Sequence, residues 1–288
     1  MSAVQPASPL ASAPDAGLFG PDSVTWRIHG DPSMAVAGFR ALLLQAVHPL
    51  VMAGFDANSG FRADPWGRLQ RTGEWIATVT YGTTAEAEAA GAMLRRLHGR
   101  LVPGIEPETG RTYRVDDPDL LLWVHCTEVE SFLTTYRRCG GRLTDAEADQ
   151  YVEEMRASAR LVGLDTDTVP RTVREIEEYY ERVRPDLHLT AVARRNTLWS
   201  FAPPMPRWVS LATPARPAWV SLMAMSAAML PVWARRLHGL PGLALTDVSA
   251  TVVARIARRS LSIVPGDRAS SPAHRAALRR VAGDPVGA

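Results

Sequence analysis

The sequence contains no lysine, so all 32 of its basic residues are arginines. Without a lysine amine, Schiff-base catalysis and metal ligation by lysine are excluded. The two cysteines, Cys126 and Cys139, are too few for a disulfide framework or a four-cysteine zinc site. A Cys-x-x-Cys-His motif for covalent c-type haem attachment is also absent. These absences exclude lysine-dependent enzymes, disulfide-rich folds and c-type haem proteins.

Charge and composition are those of an ordinary folded protein. Hydrophobic residues make up 46% and charged residues 22% of the 288 residues, so we expect a packed core. The formal net charge of +2 gives no reason to expect a nucleic-acid partner. Residues 1–17 are rich in Ala, Ser and Pro and lack the basic start and apolar centre of a signal peptide. We therefore predict a disordered lead over 1–17, one domain over 18–288, and a cytoplasmic protein.

Two long apolar runs could be mistaken for membrane spans. Residues 35–55 include polar side chains that a lipid-facing helix rarely tolerates, and residues 218–234 are short and contain Pro231. Both runs are predicted to be buried core helices. Because Arg235 and Arg236 follow the second run directly, a weak interfacial membrane contact through 218–234 is a further expectation.

The periodicity of the chain is helical almost throughout. Asp-Pro pairs at 64–65 and 117–118, and capping boxes that begin at Thr83 and Thr144, mark the starts of helices. The helices predicted in the middle of the chain are 68–81, 84–98, 118–139, 145–161 and 171–184. The Pro-rich stretch 202–217 is expected to cross the surface as a linker. Because no set of alternating strands and no Gly-rich phosphate loop occurs, we predict an all-α, single multi-helix domain.

Three of the seven histidines, His48, His98 and His125, lie inside apolar helical stripes. A buried imidazole needs a hydrogen bond or a ligand, so these three are the candidates for chemistry, although a lone core histidine is more often structural. His98 follows a face of small residues that includes Ala87 and Gly91, against which a flat macrocycle could lie. The other four, predicted to lie on the surface, are His29, His188, His238 and His274.

Several arginines precede His98, in the same predicted helix and in the one before it. Arg68 and Thr72 lie four residues apart on one helical face, with Arg71 beside them. They could form an anion clamp with a hydroxyl for bound oxygen, but their spacing alone favours a solvated arginine face. Arg95 and Arg96 flank the His98 stripe and could pair with carboxylates such as haem propionates.

The order of these motifs resembles a known family. The motifs are Gln45-x-x-His48-Pro49, Asp64-Pro65-x-x-Arg68-Leu69-x-Arg71-Thr72, Arg96-Leu97-His98 and Leu122-Trp123-Val124-His125. Over about 18–240 the chain is similar to the haem-b oxygenases that include latex-clearing protein (rubber oxygenase) and the MpaB-type oxygenases. The resemblance implies a partly globin-like helical core that holds non-covalent haem b. It also implies a proximal histidine downstream of an Arg-x-x-x-Thr pair.

In this chain the resemblance assigns the role of iron ligand to His98, which is 26 residues after Thr72. His125 is the second choice. The chain also departs from the family pattern. Latex-clearing proteins have a lysine just before the threonine, whereas this chain has Arg71, whose guanidinium stays protonated and cannot ligate iron. The region of the rubber enzymes' glutamate base, 52–59, offers only Asp56. Polyisoprene cleavage is therefore not supported.

Three hypotheses remain at this point. The first is a haem-b-dependent oxygenase that uses dioxygen on an apolar or amphipathic small molecule, with His98 on the iron and His48, Arg68, Arg71 and Thr72 shaping the pocket. The second is a non-catalytic haem carrier or gas sensor. The third is a peripheral membrane or partner-binding helical protein whose histidines are structural.

Overall fold

The computed structural model describes residues 14–58, 60–242, 244–261 and 271–283. The described residues form helices almost throughout, with one short two-stranded ribbon. The helices are α1 (Val24–His29), α2 (Met34–Gln45), α3 (Pro49–Asn58), α4 (Pro65–Tyr81), α5 (Thr84–His98), α6 (Pro118–Arg138), α7 (Asp145–Val162), α8 (Val173–Val183), α9 (Ala191–Phe201), α10 (Arg207–Ala212), α11 (Ala215–Ala228), α12 (Val232–Leu237), α13 (Ala244–Leu261) and α14 (Pro272–Ala282). Single 3₁₀ turns occupy Thr166–Thr168 and Arg184–Asp186. The predicted all-α class is confirmed.

Local capping chemistry starts the helices in the middle of the chain. The Asp64 side chain accepts a hydrogen bond from the Gly67 amide at 2.9 Å, which fixes the start of α4. Both halves of the capping box are formed at Thr83 before α5 and at Thr144 before α7. These helices begin and end within a few residues of their predicted bounds.

Two stretches outside the predicted helices contain regular structure. The loop after α5 carries an antiparallel ribbon of β1 (Gly104–Ile105) and β2 (Thr112–Tyr113), with Gly104 opposite Tyr113. The buried Glu106 carboxylate closes its turn by accepting from the amides of two following residues. The prediction that 202–217 is an irregular linker is also wrong, because α10 and the first turn of α11 lie within it.

Helix α6 lies at the centre of the molecule. It packs against α2 along most of its length and against α1, α3, α7, α8 and α13. Arg40 of α2 is almost fully buried and donates to the Glu130 carboxylate, the Ser131 hydroxyl and the Met229 carbonyl. Because every polar partner in this buried ion pair is satisfied, it links α2, α6 and the end of α11 without an unpaired charge.

The two apolar runs are core elements for much of their length. Within the described residues, no single helix has both the length and the hydropathy of a membrane span. By those criteria α2 and α3 qualify only as a pair, which is bent by 108°. The run 218–234 is broken before Pro231 into α11 and α12, and Met223, Ala227 and Leu230 are buried.

The predicted disordered lead is described only from Pro14 onwards. Within that part, the Asp15 carboxylate accepts from the amide and the hydroxyl of Thr84 at the start of α5. Its carbonyl also accepts from Arg280 of α14. Asp15 therefore contacts the folded helices, while residues 1–13 of the lead lie outside the described residues.

Candidate functional site

His98 ends α5, half-buried, with a nitrogen that lacks a partner. Its Nδ1 is inaccessible to solvent and makes no hydrogen bond with the residues that the structure describes. Burial lowers the pKa of His98, and the positive charge of Arg68 lowers it further, whereas Asp116 acts in the opposite direction. The imidazole is therefore neutral at physiological pH, and one of its ring nitrogens carries a lone pair.

Arg68 is the cationic side chain that α4 brings toward His98. Its guanidinium lies 5.6 Å from the centre of the Phe55 ring. Burial lowers the pKa of Arg68, with a smaller effect from Arg71. Among the described residues it has no carboxylate within salt-bridge distance. Packing of α4 on α5 thus brings Arg68, which has no acidic partner among the described residues, close to His98.

The other members of the predicted anion clamp are engaged elsewhere. Arg71 is exposed and pairs with Asp64 at 3.1 Å, and the Thr72 hydroxyl donates to the Arg68 carbonyl at 3.0 Å. Arg95 donates to the Leu161 carbonyl at 2.6 Å and so closes the end of α7. Arg96 is exposed and has no hydrogen bond or ion pair within the described part of the chain. Of the four arginines predicted to bind an anion, Arg68 and Arg96 are therefore the ones whose side chains have no hydrogen-bond or acidic partner among the described residues.

The small-residue face of α5 serves a different purpose from the one predicted. Ala87 is fully buried, and a Cβ atom at Gly91 would lie 2.9 Å from the Leu161 carbonyl oxygen of α7. The face lets α5 approach the α7 backbone closely, so the expectation that a macrocycle lies against it is wrong. The candidacy of His98 rests instead on its unpartnered Nδ1 and on Arg68.

His125 and His48 lie on different sides of α6. The His48 ring packs against Trp123, with ring centroids 5.8 Å apart, and its Nδ1 accepts a long bond of 3.4 Å from the Val51 amide. Because His125 is two residues after Trp123, it points about 200° away around the helix. Burial lowers the pKa of each histidine to about 4. His48 thus contacts Trp123 and the start of α3, and the packing does not bring it together with His125.

Glu128 is a residue that the sequence reasoning missed. It lies one turn after His125 on α6 and has no hydrogen bond or ion pair with any described residue. Burial raises the pKa of this carboxyl to about 7. It borders a small cavity with room for about one water molecule, together with Trp75, Ile76 and Val79 of α4. The available signal was the three-residue spacing from His125, which places both side chains on one face.

Side chains of both α4 and α6 line this cavity. On α4, Trp75, Ile76 and Val79 continue the face that Arg68 begins, at helical spacings of seven, eight and eleven residues. Because Glu128 borders the same cavity, this face of α4 lies next to Glu128 of α6. The candidate site therefore consists of Arg68 and His98 at one end of the α4 face and of Glu128 at the other.

The expectation that His29 lies on the surface is wrong. Its Nδ1 lies 2.9 Å from the Thr80 hydroxyl and its Nε2 lies 3.1 Å from the Tyr151 hydroxyl. His29 and Thr80 also border the same small cavity. Burial lowers the pKa of His29 to about 3. His238 was misjudged too, since its Nε2 donates to the Leu43 carbonyl, and His274 stacks on Tyr81. His188 is half-buried.

Within the described ranges, no group of three or more His, Cys, Asp or Glu side chains is arranged to hold a bare metal ion. His98 and His125 lie on different helices, α5 and α6. A single axial histidine is the arrangement that many haem proteins use.

Comparison with known protein families identifies a matching family model. The family model described as ER-bound oxygenase mpaB/B'/rubber oxygenase, catalytic domain, matches residues 26–259, which is most of the chain. The comparison covers α1 to nearly the end of α13 and so includes every residue of the candidate site. No curated protein and no solved structure matches the chain.

Proposed function

The chain belongs to the family of MpaB-type and rubber oxygenases, and from this premise we propose that it is a haem-b-dependent oxygenase. Its substrates would be dioxygen and an apolar or amphipathic small molecule. The resemblance drawn from motif order over 18–240 is confirmed by the match over 26–259. Family membership supports an oxidoreductase of the oxygenase type. The haem and the substrate class are parts of the proposal.

The unpartnered Nδ1 of His98 is the observation that carries this proposal. A buried imidazole nitrogen without a hydrogen bond costs about 1–3 kcal/mol, and binding of a cofactor beside it offsets that cost. Every residue of α4 from Pro65 to Glu74 is at least partly exposed, and the apolar Leu69 is 37% exposed. Apolar surface and an uncompensated arginine beside a free imidazole fit the needs of haem b, which carries an apolar ring and two propionates.

The roles of the chain's own residues follow from their surroundings. Haem b, when bound, would supply the activation of dioxygen. His98, neutral because its pKa is lowered, would hold the iron. Arg68 would pair with a propionate through charge-assisted hydrogen bonds, and the exposed Arg96 is available for the same task.

Glu128 and His125 would serve the opposite side of the site, on α6. A carboxyl with a pKa of about 7 holds its proton on an oxygen at neutral pH for about half of the time and can exchange it with a water in the adjacent cavity. His125 is neutral at this pH and is the second candidate for the iron. Trp75, Ile76 and Val79 of α4 line this cavity.

Haemin titration of three histidine variants tests the ligand assignment. We expect His98→Ala to weaken haemin binding by about tenfold or more, because the iron loses its protein ligand. His125→Ala should retain binding, as should the control His188→Ala, whose backbone amide and not its ring contacts Val47. Unchanged affinity of His98→Ala would overturn the assignment of His98.

Oxygen uptake tests the catalytic part of the proposal. The haem-loaded protein, supplied with a reductant, should consume dioxygen only when an apolar or amphipathic substrate from a panel is added, and His98→Ala should not. A protein that binds haem firmly but consumes no dioxygen with any substrate would instead be a haem carrier or gas sensor.

A further inference from the structure

One stretch of the chain carries arginines and no acidic residue. Residues 187–246 contain six arginines and no aspartate or glutamate, although the whole chain has 30 acidic residues and a net charge of only +2. At the average density of the chain, 60 residues would hold about six acids. The arginines are Arg194, Arg195, Arg207, Arg216, Arg235 and Arg236. A stretch of one charge sign favours an anionic partner.

The same stretch exposes large apolar side chains. Trp208 and Leu211 are 70% and 86% exposed, and their spacing of three residues puts them on one face of α10. Leu198 on α9 and Val220 on α11 are also exposed. We name residues 207–221, which comprise α10 and the first half of α11, the basic corner. In it, tryptophan and leucine side chains project beside arginines and no acid.

The basic corner is held in place from beneath by other tryptophans. The Trp219 indole donates to the Ser200 carbonyl at 2.9 Å and its ring meets the edge of Trp66 at 5.0 Å. Trp66 itself donates to the Pro204 carbonyl at 3.0 Å. Trp208, in contrast, has no hydrogen bond or ring contact with the described residues. The outward position of Trp208 is therefore a feature of a fixed surface.

The cations of the corner are free as well. Arg207 and Arg216 are exposed and have no acidic partner in the described part of the chain, and the same holds for Arg194 on α9. The neighbouring Arg195 pairs with Asp56 at 3.3 Å. Guanidinium groups that are not neutralised by the protein can bind lipid phosphates.

We infer that the basic corner docks the protein on the surface of an anionic lipid bilayer. Trp208 and Leu211 enter the boundary between head groups and acyl chains, where tryptophan is favoured, while Arg207 and Arg216 bind lipid phosphates. The sequence predicted a membrane contact through 218–234. The basic corner begins before that run, which buries Met223, Ala227 and Leu230. The inference uses no residue of the haem proposal, so either can fail alone.

Vesicle flotation of the full-length protein tests the inference. With vesicles of phosphatidylcholine plus about 30% phosphatidylglycerol, we expect binding that weakens at high salt. With pure phosphatidylcholine we expect at least about tenfold weaker binding. The double variant W208E/L211E should lose binding to the anionic vesicles by about tenfold or more, and R207Q/R216Q should reduce both the binding and its salt dependence.

The matched control is V102E/I105E, which changes two other exposed apolar side chains, on the β1 side of the ribbon. This variant should float as the wild type does. Circular dichroism must show that W208E/L211E is folded. Failure of the wild type to bind anionic vesicles, equal binding to neutral vesicles, or unchanged binding of folded W208E/L211E would overturn the inference. Selective binding of an acidic protein in place of vesicles would overturn it as well.

Discussion

At the scale of single residues, Arg68 and Arg71 lie three residues apart on α4, but their surroundings differ. Asp64 caps the start of α4 and also pairs with Arg71, whereas Arg68 leans over Phe55 without an acid. Sequence spacing could place both arginines on one side of a helix. It could not show that Arg71 pairs with an acid while Arg68 packs on Phe55, which belongs to a different helix. The difference makes Arg68 the stronger candidate for a propionate partner.

Replacement of each arginine by glutamine separates their roles. We expect R68Q to weaken haemin binding by about tenfold to a hundredfold, because a charge-assisted hydrogen bond to a propionate is worth roughly 1.5–3 kcal/mol. R71Q should bind haemin as the wild type does. The two dissociation constants, measured by absorbance titration, decide the matter. Equal losses in both variants would mean that only the general positive charge of α4 counts.

The half-buried Glu128 predicts an unusual dependence of stability on pH. Its pKa is raised from an ordinary value near 4.5 to about 7, so the folded state favours the protonated carboxyl. Between pH 4.5 and 7 the unfolded chain loses this proton first, and the wild type therefore loses stability as the pH rises. Glu128→Gln should be more stable than the wild type by about 1–3 kcal/mol at pH 8 and equal to it near pH 4.5.

Urea unfolding of both haem-free proteins at the two pH values checks this sign. The histidines titrate in both proteins. The difference in unfolding free energy between wild type and variant therefore reports the contribution of Glu128. An advantage of the glutamine variant that was the same at pH 4.5 and pH 8 would show that the carboxyl is not held neutral.

At the scale of elements, local signals predicted helix positions well. The capping boxes at Thr83 and Thr144 act within four residues, so the sequence alone could place the starts of α5 and α7. The ribbon after α5 could not be predicted, because its strands are two residues long and its turn depends on one buried glutamate. Long-range packing also decided His29, whose partners Thr80 and Tyr151 lie 51 and 122 residues away.

Two glycines in neighbouring helices test the close contact of α5 with α7. At Gly91 an added methyl group would meet the Leu161 carbonyl, whereas at Gly73 of α4 it would meet nothing within 4 Å. We expect Gly91→Ala to destabilise the fold by about 1–3 kcal/mol. Gly73→Ala should stabilise it by about 0.5–1 kcal/mol through helix propensity. The free energies of unfolding in urea measure both, and a stabilising Gly91→Ala would contradict the close packing.

At the scale of the whole molecule, the family could be predicted because its motifs occur in a fixed order along the chain. The match over 26–259 confirms that assignment. The geometry of the site could be predicted only in part. Arg68 lies close enough to His98 to lower its pKa, whereas sequence spacing paired Arg68 with Thr72. The small residues before His98 pack on α7, and Glu128 was not foreseen. Both differences come from contacts between helices that are far apart in sequence.

The absorption spectrum of the protein, purified from cells supplied with a haem precursor, tests the central claim most directly. If the chain holds haem b through a histidine, the spectrum shows a Soret band corresponding to about one haem per chain, and the band is strongly reduced in His98→Ala. A folded, colourless protein that gains no Soret band when haemin is added would contradict the account.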